Sequence, residues 1–332
     1  MPPKPVPPWL KKAIQPYLDQ VCPKPPPCPV PPPCPTPEPI PVEEKKIGIE
    51  SLFCPVLTNR DTILSDLLLW WAIGVRSLSL SFTQDSGDLS IFIGIAREVG
   101  FKIILPTAGA WYTGWDEDKW VADTQVMAQT LLKYKPDGWY GCMEFSIGWK
   151  GYGTAYQKVI PILRGLRDVP IYLSPFYGAG PPVPSDSDVR DVLESFCSTI
   201  GQANIISALQ DGVGCDGNLP RRVIGGPVHQ DWLNKAKIHK EVVESHGGKA
   251  TINVELFDTY PQTPGGVAYP ATTDRIKTQI EAENKPEYVS KGLGLGPCCS
   301  AEGISLREYQ MAWYPFHNEV AQMLLKMKGG SL

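Results

Sequence analysis

The stretch "GWYGCMEFS", residues 138–146, packs Trp139, Tyr140, Cys142, Met143 and Phe145 into nine positions with no turn signal. It reads as a buried strand, because apolar and aromatic side chains crowd a segment too short for a helix of its own. Glu144 stands inside it. A carboxylate in an apolar strand is costly unless it is paired or solvated at the strand's end.

Working outward, the pattern repeats. Upstream lie "DEDKWVADTQVMAQTLLKYK", a helix with acids in its first turn and lysines in its last, and "FKIILPTA", a strand. Before these come "GDLSIFIGIAREVG", a helix ending at Gly100, and the alternating strand "RSLSLSFTQ". "TNRDTILSDLLLWWAIGV" is a helix with Thr58 or Asn59 as N-cap, and "KKIGIESLF" is a strand. Downstream, "TAYQKVIPILRGLRD" is a helix interrupted by Pro161, followed by the strand "VPIYLSPFY". Then come "SDVRDVLESFCSTIGQ", a helix capped by Ser185 or Ser187, and the strand "NIISALQDGVG". "VHQDWLNKAKIHKEVVESHG" and "TTDRIKTQIEAEN" are helices on either side of the strand "KATINVELFD". "YVSKGLGLG" is a weak strand, and "SLREYQMAWYPFHNEVAQMLLKMKG" closes the chain as a helix with Pro315 near its middle.

Eight strands alternating with eight helices imply a parallel sheet. Their length, about 285 residues, matches a closed (β/α)8 TIM barrel better than a doubly wound sheet. A doubly wound nucleotide fold would carry G-x-G-x-x-G after its first strand, and "IGIESLFCPV" does not. "GLGLG" at 292–296 sits where some barrels bind phosphate, but a tight loop is the simpler reading.

Composition narrows the function. The 332 residues carry a net charge of −4 with no basic stripe, so nucleic acid is not an expected partner. The longest apolar run, "LLLWWAIGV" at 67–75, is too short to span a bilayer. "MPPKPVPPW" has no charged segment followed by an apolar one, so no signal peptide is read there. His229, His239, His246 and His317 are scattered, without H-E-x-x-H or a Cys/His cluster, and no metal site or cofactor is expected.

Proline marks a boundary: 18 of the 35 fall within the first 41 residues. Residues 22–42 read as a polyproline II stalk, since each proline fixes φ and removes a donor. Cys22, Cys28 and Cys34 recur every six residues, so in that helix all three thiols face one side, too far apart to pair with each other. Residues 1–21 place Trp9, Leu10, Ile14, Tyr17, Leu18 and Val21 at near-helical spacing, the pattern of an apolar anchor peptide. The expected organisation is therefore an anchor (1–21), a stalk (22–42) and a barrel (43–332). The arm, residues 1–41, would engage a protein partner or another copy of the chain.

In a barrel, chemistry gathers at the C-terminal ends of the strands. There this sequence places Trp111, Tyr112 and Trp115 after strand 3, and Glu144 on strand 4, with Trp149 and Tyr152 just beyond. Ser174 and Tyr177 end strand 5, Gln210 and Asp211 end strand 6, and Asn253 and Glu255 end strand 7. The expectation is a polar, acidic and aromatic mouth above an apolar barrel. Two carboxylates across such a mouth suit glycoside hydrolysis, in which one protonates the leaving oxygen and the other attacks the anomeric carbon or activates water. Aromatic rings suit the C–H face of a pyranose. "QDGVG" also reads as a tight turn, with Gly212 and Gly214 at positive φ and Asp211 bonding its own backbone.

The pieces Tyr140-x-x-x-Glu144, "LSPFY", "LQDGVG", "NVELFD", "DRIKTQI" and "LREYQMAWY" resemble an uncharacterised glycosyl-hydrolase-like TIM-barrel domain, over residues 46 to 328. That domain is in turn similar to the retaining TIM-barrel glycoside hydrolases. The resemblance implies Glu144 as general acid/base and Glu255 as nucleophile. Asn253 and Tyr177 would orient them, Tyr140 would line the cleft, and Gln210 and Asp211 would contact sugar hydroxyls; Asp211 is also an alternative second carboxylate. Met143 stands where the larger clan carries an Asn. The implied function is hydrolysis or binding of a poly- or oligosaccharide by a tethered barrel. The alternative is a non-catalytic carbohydrate-binding or attachment protein of a virion or cell surface, which fits an extracellular or virion-surface location.

Overall fold

The computed structural model describes residues 49–54, 60–80, 87–107, 116–146, 151–176, 184–200, 204–213, 224–259, 268–290, 292–296 and 319–327. The proline arm and its anchor lie outside these residues. Eight strands close into a parallel barrel. They are β1 (Ile49–Cys54), β2 (Ser77–Leu80), β3 (Lys102–Pro106), β4 (Gly138–Ser146), β5 (Ile171–Phe176), β6 (Ile205–Gln210), β7 (Lys249–Glu255) and, after two short strands, β10 (Leu293–Gly296). β10 pairs with both β7 and β1, which closes the ring. The intervening strands β8 (Phe257–Thr259) and β9 (Ala268–Pro270) form an antiparallel pair outside the barrel, an element absent from the sequence reading.

Helices alternate with the barrel strands: α1 (Arg60–Ala72), α2 (Gly87–Val99), α3 (Glu117–Leu131), α4 (Gly151–Leu166), α5 (Asp186–Ile200), α6 (Pro227–Ser245) and α7 (Thr273–Glu283), with residues 319–327 also helical. Their ends follow the sequence signals. Asp116 caps α3 by accepting the Lys119 N–H, with Glu117 and Asp118 in the first turn. Ser185 caps α5: its Oγ accepts the Asp188 N–H while the Asp188 carboxylate accepts the Ser185 N–H. Gly100 ends α2 at φ 112°, where a Cβ would meet the Trp71 ring at 2.9 Å. Pro161 does not interrupt α4. It is exposed, as is Gln157 one turn earlier, so water can take the carbonyl left without its helical donor.

The main core lies between sheet and helices. Leu78, Leu80, Ile103, Leu105, Leu209, Ile252 and Val254 point outward from the strands onto Phe92, Trp120, Tyr156 and Trp232. Trp120 and Tyr156 meet edge-to-face at 5.2 Å. The lumen differs from the apolar barrel that the sequence suggested. Among the described residues it holds a small apolar cluster of Ile104, Tyr140 and Tyr172. Around the cluster the inward positions include Ser51, Ser77, Ser79, Thr251 and Asn253; in β2 serine alternates with leucine and the smaller residue faces in, and Ser51 of β1 pairs in register with Ser77.

Candidate active site

The orientation of β6 sets the site. Ser207 Oγ lies 2.8 Å from His239 Nε2 on α6, so Ile205, Ser207 and Leu209 face the helices. Strand alternation then turns Ile206, Ala208 and Gln210 into the lumen. Gln210 Nε2 donates to Ser174 Oγ at 3.1 Å and to the Ser174 carbonyl at 3.3 Å. Asn253 Nδ2 donates to the same Oγ at 3.2 Å, reaching from β7 past β6 to β5. Such a reach is possible only on the concave side. Gly294 on β10 leaves room for this arrangement: a Cβ there would overlap Asn253 Oδ1 and lie 3.1 Å from Ser51 Oγ. The glycine-rich "GLGLG" is thus barrel strand rather than loop, and one of its glycines makes space for a polar lumen residue.

Glu144 is paired in register with Ser174, after an irregularity in the ladder between Tyr140 and Glu144. Its side chain lies outside the described residues. Glu255 ends β7, in register with Gly296. It shares the lumen face with Asn253, two residues before it, and is 5 % exposed.

On its β6 side the backbone of Glu255 is held by side chains rather than by a neighbouring strand. Asp211 N donates to the Asn253 carbonyl at 3.3 Å, the last main-chain bond between β6 and β7. Gly212, at φ 62°, then turns the chain away. The Asp211 carboxylate substitutes for the missing carbonyl: Oδ2 accepts the Glu255 N–H at 3.2 Å, and Oδ1 accepts the Val213 N–H at 3.1 Å. Gln279 Nε2, on α7, donates to the same Oδ2. Gln279 Oε1 accepts from Arg275 Nη1 at 2.5 Å, and Arg275 Nη2 donates to the Glu255 carbonyl at 2.7 Å. The bonds form a closed ring that begins and ends on Glu255. Behind it, His229 Nδ1 accepts the Gly225 N–H at 3.2 Å, which leaves Nε2–H to donate to Glu283 at 3.2 Å. Burial, and then the nearby Glu283 carboxylate, push the Asp211 pKa well above the usual carboxylate range; the Val213 N–H, the Arg275 charge and the Glu255 N–H pull it back.

This placement corrects one expectation. Asp211 was expected to touch sugar hydroxyls or to act as the second carboxylate. It is fully buried on the helix side of the sheet, with both oxygens bonded to protein donors, and has no exposed atom to offer a substrate. The turn reading of "QDGVG" does match the geometry at Asp211 and Gly212.

Gln210 and Asn253 are brought together in the lumen, and Tyr140 lies in the Ile104–Tyr172 cluster. Trp111, Tyr112, Trp115, Trp149 and Tyr177 lie outside the described residues, as does the Tyr152 side chain. Arg275 and Gln279 were missed. Their signal was present: two long polar residues at i and i+4 on one face of a helix whose other members on that face, Ile276 and Ile280, are apolar. Among the described residues no group of three or more His, Cys, Asp or Glu side chains is placed to hold a metal ion, and no helix is long and apolar enough to cross a membrane.

No protein-family model and no curated protein matches the chain. Solved structures do. A GH113 β-1,4-mannanase aligns over 85 % of this chain and 99 % of its own, at 12 % identity and a TM-score of 0.53. A GH113 β-mannanase from Alicyclobacillus acidocaldarius aligns over 84 % and 98 %, at 13 % identity and a TM-score of 0.48. An O-GlcNAc hydrolase from Thermobaculum terrenum aligns over 86 % and 63 %, at 13 % identity and a TM-score of 0.45. The chain thus has a TIM-barrel-like α/β fold that it shares with glycoside hydrolases.

Proposed function

We propose that the chain is a carbohydrate-active barrel of glycoside-hydrolase type, with Glu144 and Glu255 as its carboxylate pair. One observation carries the reading. Glu144 is in register with Ser174, Ser174 is hydrogen-bonded to Asn253, and Asn253 precedes Glu255 by two residues on the same face. This chain of contacts links the strand that bears Glu144 to the strand that bears Glu255 through one polar node, which supports a shared site at the C-terminal rim, where barrel enzymes work. Fold alone does not assign a reaction, so the proposal rests on this node rather than on the structural neighbours.

In this reading Glu144 protonates the glycosidic oxygen as the bond breaks. Glu255 attacks the anomeric carbon from the opposite face, and water, deprotonated by Glu144, releases the sugar. Gln210, Asn253 and Tyr140 contact sugar hydroxyls in this reading. Trp111, Tyr112, Trp115, Trp149 and Tyr177 supply apolar faces for the ring. Residues 1–41 tether the barrel to a protein partner or to further copies of the chain.

The test is reducing-sugar release from a panel of polysaccharides, including β-mannan, by the wild type, E144Q and E255Q, with glycan-array binding in parallel. Both variants are expected to lose about 10²- to 10⁴-fold in kcat while still binding. Binding by the wild type without turnover sinks the hydrolase reading in favour of a carbohydrate-binding or attachment module. Neither binding nor turnover sinks both.

A further inference from the structure

We propose that Asp211, Gln279 and Arg275 are positioning residues for Glu255, acting as a ring that fixes its peptide at the barrel rim. This inference rests on the reading of Glu255 as a functional carboxylate.

The main-chain ladder does not hold Glu255 on its β6 side. β6 has already turned away at Gly212, so the Glu255 N–H finds a carboxylate where a strand would supply a carbonyl. The Glu255 carbonyl is taken by the Arg275 guanidinium. Both ends of the residue are therefore fixed by groups from other elements, Asp211 after β6 and Arg275 on α7. Gln279 joins the two. Its amide can serve only one way round, with Oε1 toward Arg275 and Nε2 toward Asp211, because a carboxylate only accepts and a guanidinium only donates. A flipped amide would break both contacts.

The Asp211–Gln279 side of the ring is fully buried and the Arg275 bonds are part-buried, so the bonds to Asp211 are stronger than at the surface and each lost partner there is costly. Its other charged neighbours are Glu283, bonded to His229, and Glu255 itself. A strand end held in this way presents its side chain at a fixed height and angle. A catalytic carboxylate needs that, because an error of about 1 Å in placement costs about 10²-fold in rate. The three sequence pieces "LQDGVG", "NVELFD" and "DRIKTQI" each contribute to the ring, and no two of them are neighbours in the chain.

The experiment uses the full chain with Gln279→Leu, which keeps the volume and removes both links. Ile63→Val, in α1 on another side of the barrel, serves as a control for general destabilisation. Two readouts are needed. Amide hydrogen exchange at Glu255 is expected to rise at least tenfold in Q279L and to stay unchanged in I63V. On whichever polysaccharide the wild type hydrolyses, Q279L is expected to lower kcat about 10- to 100-fold with KM within about threefold. Equal exchange at Glu255 in Q279L and I63V overturns the proposal, as does an unchanged kcat. If Q279L fails to fold, Gln279→Glu supplies the same readouts, since it keeps the Arg275 link and sets a second acid against Asp211. A wild type without turnover overturns the functional reading instead, and the exchange result then decides the ring by itself.

Discussion

Asp211 follows the end of β6 and Glu255 ends the neighbouring β7, with their side chains on opposite faces of the sheet, yet one holds the other: Asp211 Oδ2 accepts the Glu255 N–H at 3.2 Å. The relationship needs a group with two acceptor oxygens. Asp211→Asn is therefore not conservative here. Whichever way the amide is turned, its NH2 faces a donor, either Val213 N–H or the pair formed by Glu255 N–H and Gln279. We expect D211N to lower stability by about 1 to 3 kcal/mol in urea unfolding. A surface Asx turn would tolerate the change, so a loss below about 0.5 kcal/mol would contradict the buried geometry.

Two glycines should respond oppositely to a methyl group. At Gly294 the added carbon overlaps Asn253 Oδ1, and the overpacking should cost about 1 to 3 kcal/mol and displace Asn253. At Gly94, exposed in the middle of α2, a Cβ meets nothing within 4 Å. G94A should stabilise by up to about 1 kcal/mol through helix propensity alone. Thermal melts of the two variants, with a crystal structure of G294A, check the pair.

Asp66 and His239 should oppose each other in the pH profile. Burial raises the Asp66 pKa from its ordinary 3.8 to about 7. Its contribution to stability is then complete below about pH 4 and is lost as pH rises through about 7. Burial lowers the His239 pKa from 6.5 to about 3, so its contribution is complete above about pH 6.5 and is lost as pH falls through about 3. Relative to wild type, D66N should gain in Tm as pH rises from about 4 to 7. H239Q should lag most near neutral pH and close the gap as pH falls toward 4. Parallel curves for wild type and either variant would rule out the corresponding buried group.

Deleting residues 1–41 should leave the barrel's Tm within about 2 °C while abolishing its incorporation into any assembly it forms. The reason is the proline content, which leaves the stalk few backbone donors with which to join the barrel. Ordering an apolar anchor costs about 1 to 2 kcal/mol per residue, which only a partner surface can offset. A truncated protein that unfolds would show that the arm belongs to the fold.

The alternation of strands and helices, the cap at Ser185 and the closure into a barrel were legible in the sequence, because periodicity and capping act within a few residues. The sequence also marked the turn at Asp211 and Gly212, which is local chemistry. It did not show the β8–β9 pair, which depends on register between segments nine residues apart. Nor did it show which face of each strand looked inward. A single residue of phase separates Gln210 in the lumen from Asp211 among the helices, and that phase shows only in tertiary contacts such as the bond from Ser207 to His239. Apart from the i,i+4 pair Arg275–Gln279, the ring around Glu255 joins residues 20 to 68 positions apart, and no local pattern encodes such a meeting. Tertiary structure decided it, because a buried N–H at the end of a strand must find an acceptor, and the nearest one was a carboxylate the sequence had offered to the substrate.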